Sequence, residues 1–242
     1  MRGNNMETIN IEGLSYREIN ERLRATPACK LAGCRGQRFI GAGMGSGELT
    51  IEGVPGNALG AYLNGGSITV LGNAQDAVGD TMNAGEIIVH GSIGDAAGYA
   101  MRGGRILVKG DAGYRAGIHM KAYEDKVPVM VIGGRAGSFL GEYQAGGLII
   151  VLALNGGRPV GSFPCTGMHG GKMLIRGGCG DAVLPDQVTA RPAGPEDLEE
   201  ASGHIRAFCG AFLYDMEDIL KGPFTLVTPN SKNPYKQMYV MN

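Results

Sequence analysis

The segments of this chain that could support chemistry are its glycine-rich turns. Gly170-Gly171-Lys172-Met173 lacks both the first glycine and the Ser or Thr hydroxyl of a phosphate-binding P-loop. The run from Gly41 to Gly47, which reads GAGMGSG, leads into a predicted strand, whereas a dinucleotide fingerprint must follow a strand and open a helix. Neither segment therefore predicts a nucleotide site.

The histidines and cysteines do not form a metal-binding pattern. None of the four histidines lies at metal-ligand spacing from another: His90, His119, His169 and His204. Cys29 and Cys34 form the only close cysteine pair, whereas an iron–sulfur site needs three or four converging ligands; the remaining cysteines are scattered at Cys165, Cys179 and Cys209. We expect no catalytic, cofactor-binding or metal-binding residue in this chain.

Charge and hydropathy exclude several classes of partner. The net charge is −1, from 22 basic and 23 acidic residues, so the chain lacks the basic character of a nucleic-acid-binding protein. The N-terminal residues MRGNNMETINIEG lack an apolar signal region, and no segment approaches the roughly 20 apolar residues of a membrane span. An odd number of cysteines without close pairing favours reduced thiols. These features predict a cytoplasmic protein that binds neither nucleic acid nor membrane.

A short repeat determines the fold that positions any functional residues of the chain. The segments GSGELTIEG, NGGSITVLG, NAGEIIVHG and RGGRILVKG end at glycines that recur every 19 residues, at Gly53, Gly72, Gly91 and Gly110. A second signature, Gly-x2-Gly-x3-Gly, follows four of the predicted strands, and Gly98 is one of its members. Sharp turns need positive φ angles, and stacked turns leave little room for a Cβ atom. The repeat therefore predicts a solenoid.

Alternating residues of each repeated strand fall into apolar columns that predict the core. The first column holds Leu49, Ile68, Ile87, Ile106, Ile149 and Met173, and the second holds Ile51, Val70, Val89, Val108, Val151 and Ile175. A third holds Met44, Leu63, Met82, Met101 and Met168, with Gln144 as the exception. The predicted fold is all-β: a right-handed parallel β-helix (solenoid) of about seven coils.

Both termini carry additions to the solenoid. Residues 1–32 predict a short strand and a helix whose N-terminus is a capping box at Ser15 and Glu18. Residues 33–181 form the predicted β-helix. Residues 182–242 predict a linker, an amphipathic helix from Ser202 to Leu220 that caps the last coil, and a polar tail reading SKNPYKQMYV.

Outward-facing residues of the solenoid predict where partners bind. Ile88, Leu107 and Leu174 lie between the core columns of their strands and predict an exposed apolar docking patch. Two segments interrupt the 19-residue spacing, at 121–126 and 155–169. Since insertions in a solenoid form loops on one face, we expect these two segments to face partners.

The glycine pattern resembles the GXGXG-motif family, of which the C-terminal domain of the glutamate synthase large subunit is a member. The resemblance covers residues 33–180 and is carried by the segments Gly134–Gly147 and Gly161–Gly171. It implies a non-catalytic subunit of a split, archaeal-type glutamate synthase. The implied partners are a glutamine amidotransferase subunit and a synthase subunit that carries the FMN and the iron–sulfur cofactor. A homo-oligomer is also compatible with the sequence.

Three alternatives stay open. Within the same motif, the chain is similar to the non-catalytic β-helix subunit of formylmethanofuran dehydrogenase and to a glutamate N-methyltransferase subunit. The third alternative, a self-sufficient β-helix enzyme, requires clustered acidic residues on one strand face. The outward positions instead mix Glu, Arg, Lys, Thr and Ile, which favours a scaffold over an enzyme.

Overall fold

A computed structural model describes residues 6–230 and shows a mostly β protein built on a parallel solenoid of about seven turns. The predicted tail at SKNPYKQMYV lies outside the described residues. The strands are β1 (Glu7–Asn10), β2 (Ala28–Arg35), β3 (Glu48–Val54), β4 (Asn64–Val70), β5 (Ala84–Val89), β6 (Arg105–Val108), β7 (Val129–Ile132), β8 (Ala145–Val151), β9 (Gly170–Arg176), β10 (Val188–Pro192) and β11 (Phe224–Pro229). The helices are α1 (Tyr16–Ala25), α2 (Pro195–Phe212) and α3 (Met216–Leu220).

One sheet joins all the strands, in the order β1-β2-β3-β4-β5-β6-β7-β8-β9-β11-β10. From β1 to β9 every neighbouring pair is parallel, and the register between β3 and β6 follows the 19-residue repeat, with Ile68 beside Leu49 and Ile87. β11 then pairs antiparallel with β9, and β10 pairs antiparallel with β11. The edge of the last coil is thus closed by strands.

The predicted columns form the core of the solenoid. Both strand columns are buried, and so are Leu63, Met82, Met101 and Met168 of the third column. Gln144 is also fully buried, and its Nε2 donates to the carbonyl oxygens of Gly146 and Gly147 at 3.1 and 3.2 Å. These bonds satisfy the amide N–H groups of Gln144 at a position that Met or Leu fills elsewhere, whereas its buried Oε1 has no hydrogen-bond partner among the described residues.

Side chains at one corner tie each coil to the next. The backbone N–H of Ser92 donates to Asn73 Oδ1 at 2.8 Å, that of Asp111 to Ser92 Oγ at 3.0 Å, and that of Arg135 to Asp111 Oδ1 at 2.7 Å. Asp76 and Asp95 accept equivalent bonds at the next corner. Short Asn, Asp and Ser side chains recur here because they satisfy backbone donors that no strand reaches.

The N-terminal helix forms as the sequence predicts. Ser15 is the N-cap of α1: its Oγ accepts from the backbone N–H of Glu18, and Glu18 Oε2 accepts from the backbone N–H of Ser15 at 2.8 Å. Ile19 and Leu23 of α1 are buried against the solenoid core. No helix among residues 6–230 combines the length and the apolar character that a membrane crossing requires.

The C-terminal region departs from the prediction in three ways. First, the predicted linker contains β10, which pairs with β11. Second, α2 begins at Pro195, seven residues before the predicted start, because Pro occupies its first turn and Asp197 accepts from the Gly194 N–H at 2.8 Å. Third, the helix breaks at Leu213, which adopts a left-handed conformation and is 92% exposed.

The sequence predicts that the C-terminal helix caps the last coil, but α2 instead lies on the outer face of the sheet. Its residues Ile205, Phe208 and Phe212 pack in one buried cluster with the outward residues of β6 to β9. Gly133 provides space for this contact, since a Cβ atom there would lie 2.6 Å from Cζ of Phe208. The prediction that Ile88, Leu107 and Leu174 form an exposed docking patch is therefore wrong. Leu107 and Leu174 are each 1% exposed beneath the chain's own helix, and Ile88 is half-buried beside them.

Candidate partner-binding surface

Two columns of residues with left-handed backbone lie at the corners of the solenoid that α2 leaves open. The first column holds Phe39, Ala58, Ala77, Ala96, Arg115, Phe139 and Phe163, each with φ between 53° and 63°. The second holds Tyr62, Thr81, Ala100, His119 and Tyr143, with φ between 50° and 57°. Large side chains thus occupy backbone positions that usually favour glycine.

In the later coils these columns, together with the neighbouring Tyr99 and Tyr114, carry two stacks of rings. We define the aromatic face as Tyr99, Tyr114, Arg115, His119, Phe139, Tyr143 and Phe163. Ring centroids of Phe139 and Phe163 lie 5.3 Å apart, and those of Tyr114 and Phe139 lie 5.5 Å apart. The His119 ring stacks on Tyr143 at 5.2 Å with an interplanar angle of 8°, and it meets the edge of Tyr99 at 5.8 Å. The rings hold one another in place across four successive coils.

The charged groups of the aromatic face are also fixed. Arg115 Nε donates to Glu142 Oε2 at 2.7 Å, and this hydrogen bond raises the pKa of Arg115 above its usual value. The guanidinium carbon of Arg115 lies 5.6 Å from the ring centroid of Tyr114 and 5.1 Å from the ring centroid of Phe139. Arginine and aromatic residues are enriched where binding energy concentrates at protein interfaces.

The face is exposed at a cost in backbone energy. Phe163 is 57% exposed and Tyr114 is 43% exposed. A non-glycine residue in a sparsely populated backbone region costs on the order of 1–3 kcal/mol, and such residues concentrate at binding and catalytic sites. Exposed rings recover little of that energy through burial, so the aromatic face is the strongest candidate for a binding surface among residues 6–230.

This face is absent from the sequence-based predictions, although the sequence contains a signal for it. Arg115 and Phe139 each lie two residues before the last glycine of a Gly-x2-Gly-x3-Gly signature, and Phe163 lies two residues before Cys165, which replaces that glycine. The same position holds Phe39 in the first coil and alanine in the next three, at Ala58, Ala77 and Ala96. The return from alanine to large residues at one repeat position marks the face.

The two interrupting segments differ in structure. Residues 121–126 form an exposed turn in which Tyr123 and Lys126 exchange backbone hydrogen bonds at 3.0 and 3.1 Å. Most of residues 155–169 instead follow the regular path of a coil, because Val160, Cys165 and Met168 are buried in the core. Their role as partner-facing segments stays a prediction.

The cysteines lie in apolar surroundings. Burial raises the pKa of Cys34 to about 11 and that of Cys165 to about 12. Cys29 and Cys209 are also buried, and Cys179 is half-buried. Raised thiol pKa values are typical of unreactive, structural cysteines.

The remaining candidate residues are dispersed. The His90 ring meets the edge of Phe212, and the lowered pKa of His204 follows from its burial and from the nearby Arg105. Lys172 Nζ donates to Glu200 of α2, so the lysine of the P-loop-like segment is committed to an ion pair. Within residues 6–230, no three side chains of His, Cys, Asp or Glu are grouped to hold a metal ion.

Comparisons with known proteins agree with this architecture. The GXGXG motif family matches residues 12–222. The chain is 44% identical to the uncharacterized protein MJ1350 of Methanocaldococcus jannaschii, and the match covers 99% of this chain and 98% of that protein. A chain of the formyltransferase/hydrolase complex FhcABCD from Methylorubrum extorquens, solved in complex with methylofuran, matches with a TM-score of 0.62 at 20% identity.

The structural match covers 93% of this chain and 91% of that chain, and at 20% identity it shows a shared fold. The family match includes all the coils of the solenoid and most of the C-terminal addition. The chain therefore belongs to the GXGXG-motif family.

Proposed function

We propose that this chain is a non-catalytic scaffold subunit of a cytoplasmic oxidoreductase complex of the glutamate synthase type. In this proposal it joins a glutamine amidotransferase subunit to a synthase subunit that carries FMN and an iron–sulfur cofactor. The observation that carries the proposal is the aromatic face, because it combines exposed rings, a fixed arginine and backbone strain on a rigid solenoid.

The rigidity of the face supports a role in docking. Side chains that are already ordered lose little conformational entropy when a partner binds, so more of the contact energy appears as affinity. Phe139 is held between Tyr114 and Phe163, and Arg115 is held by Glu142. The face therefore suits a stable subunit contact.

The structural relative favours a second candidate. Because that relative is a chain of a formyltransferase/hydrolase complex, the second candidate is the β-helix subunit of a formylmethanofuran dehydrogenase. A glutamate N-methyltransferase complex is a third member of the same class. All three candidates share the prediction that the aromatic face binds a subunit, and they differ in which subunit binds.

Reconstitution tests the proposal. The chain is combined with the amidotransferase and synthase subunits encoded in the same genome, together with glutamine, 2-oxoglutarate and a two-electron reductant such as dithionite. The reductant-dependent conversion of 2-oxoglutarate to glutamate is measured together with the mass of the complex. We expect activity only in the complete mixture. Complex formation with formyl-transferring subunits instead of these would favour the second candidate, and activity of the chain alone would contradict a scaffold role.

A matched pair of variants tests the surface. Phe163→Gly removes a ring of the aromatic face, whereas Phe39→Gly removes an exposed ring at the same repeat position in an early coil, where it packs against Tyr16 of α1. We expect the first variant to lose complex formation and the second to retain it. Equal complex formation by both variants would exclude the aromatic face as the docking surface.

A further inference from the structure

A groove of about 650 Å³ shares His119 and Tyr143 with the aromatic face and lies between the exposed turn at 121–126 and the last coil of the solenoid. Polar side chains from three successive coils line it: His119 and Lys121, then Tyr143, then His169. Gly170 and Gly171 at the start of β9 form the adjoining wall. Ligand sites in proteins have comparable volumes and a few convergent polar groups.

Hydrogen bonding leaves the groove with unused capacity for a ligand. The Nδ1–H of His169 donates to the carbonyl oxygen of Gly167 at 2.9 Å, which leaves its Nε2 for another partner. Stacking fixes the ring of His119 against Tyr143. Lys121 is exposed and forms no ion pair within the described part of the chain.

The charges of the groove favour an anion. No carboxylate lines it: Glu142, next to Tyr143, is paired with Arg115, and Glu124 and Asp125 belong to the flanking turn but are not among the lining residues. The lining has no guanidinium, the planar group that matches a carboxylate through two parallel bonds. Lysine binds phosphate as a point charge, and imidazole and hydroxyl groups can donate to or accept from the several oxygens of a hydrogen phosphate.

We propose that this groove binds a small molecule through a phosphate group. Lys121 supplies the positive charge, and His119, Tyr143 and His169 supply hydrogen bonds from different directions. The groove differs from the degenerate P-loop segment of the sequence: Gly170 and Gly171 contribute its wall, but Lys172 pairs with Glu200 on another side of the strand. Phosphate binding in this groove is a property of the isolated chain and does not depend on which complex the chain joins.

The four histidines provide a direct test. Inorganic phosphate is titrated into the purified chain at fixed pH, with chloride replaced to keep the ionic strength constant, and the imidazole Cε1–H resonances are followed by NMR. His119→Gln and His169→Gln variants assign the resonances. We expect saturable shifts of His119 and His169, whereas His90 and His204, which lie outside the groove, should not move. No saturable shift, or equal shifts of all four, would overturn the proposal.

A pair of lysine variants tests the role of charge. Lys121→Gln removes the cation of the groove, and Lys109→Gln removes an exposed lysine of the same coil that does not line it. We expect Lys121→Gln to weaken phosphate binding by about tenfold or more, as the loss of a charge-assisted hydrogen bond implies. Lys109→Gln should bind as the unmodified chain does. Equal affinities of the two variants would contradict the assignment.

Discussion

Gly98→Val tests whether the glycines at the ends of the Gly-x2-Gly-x3-Gly signatures determine the path of the coils. Gly98 has φ of +67°, and a Cβ atom there would lie 2.5 Å from Cε of Met130 in β7, the second strand after Gly98. A β-branched residue at positive φ costs roughly 1–3 kcal/mol. Overpacking a filled core costs typically about 1–3 kcal/mol more.

The two contributions together predict that Gly98→Val lowers the free energy of unfolding by about 2–6 kcal/mol. For a chain of this length, the melting temperature should fall by about 4–24 °C. The part due to Met130 is separable, because the contact is with the end of a flexible side chain. In a Met130→Ala background, the cost of Gly98→Val should therefore decrease by about 1 kcal/mol or more.

Urea denaturation followed by circular dichroism measures these free energies. Gly203→Val is the matched control, because Gly203 lies in α2 with no atom within 4 Å of its Cβ position and no positive φ. We expect that variant to change stability by no more than about 0.5 kcal/mol. A cost of Gly98→Val no larger than that of Gly203→Val, or a cost that is the same with and without the Met130 side chain, would contradict this role of Gly98.

Three further predictions address the helix, an ion pair and the thiols. Leu107→Ala should lower the free energy of unfolding by about 2–5 kcal/mol in urea denaturation, because Leu107 is buried beneath α2 rather than exposed to a partner. Hydrogen bonds from Arg191 and from the Gly194 N–H lower the pKa of Asp197 in the folded chain. Ionised Asp197 therefore stabilises the fold fully above its unfolded pKa near 3.8, and this stabilisation is lost as the pH falls through the lower folded pKa. The difference in melting temperature between wild type and Asp197→Asn should disappear in that acidic range. An aromatic disulfide reagent that reacts with thiols should react slowly with the native chain at pH 8, and it should react with all five thiols once the chain is unfolded. Fast reaction of Cys165 in the native chain would contradict its burial.

The core of the solenoid was predictable from the sequence because its information is local and repeated. A 19-residue spacing places Leu49, Ile68 and Ile87 at equivalent positions, and the register of β3, β4 and β5 follows directly from it. The capping box at Ser15 is equally local, since all of its groups lie within four residues. Such patterns determine structure wherever neighbours in sequence are neighbours in space.

The strand sequences alone could not predict that α2 covers the outer face of the sheet. Alternation correctly places Leu107 and Leu174 opposite the interior columns, but it cannot say whether those residues meet water or another element. That outcome depends on contacts with Phe208 and Phe212, which lie far away in sequence. The Gly-Pro-Glu-Asp segment is typical of a linker, but Pro and Asp also begin helices, and the predicted start of α2 is therefore misplaced.

The left-handed columns show how stability and binding are divided along the solenoid. The first column holds Phe39 in the first coil and alanines in the next three, whereas the later coils place Arg115, Phe139 and Phe163 at equivalent positions. Phe163 is 57% exposed, so burial cannot account for a ring at a strained position. Glycine adopts this backbone conformation without strain but has more conformational freedom in the unfolded chain, so Phe163→Gly should change the free energy of unfolding of the isolated chain by no more than about 1 kcal/mol. A ring that adds little stability yet is ordered by Phe139 suits a partner contact, because the repeat holds it rigid before the partner arrives.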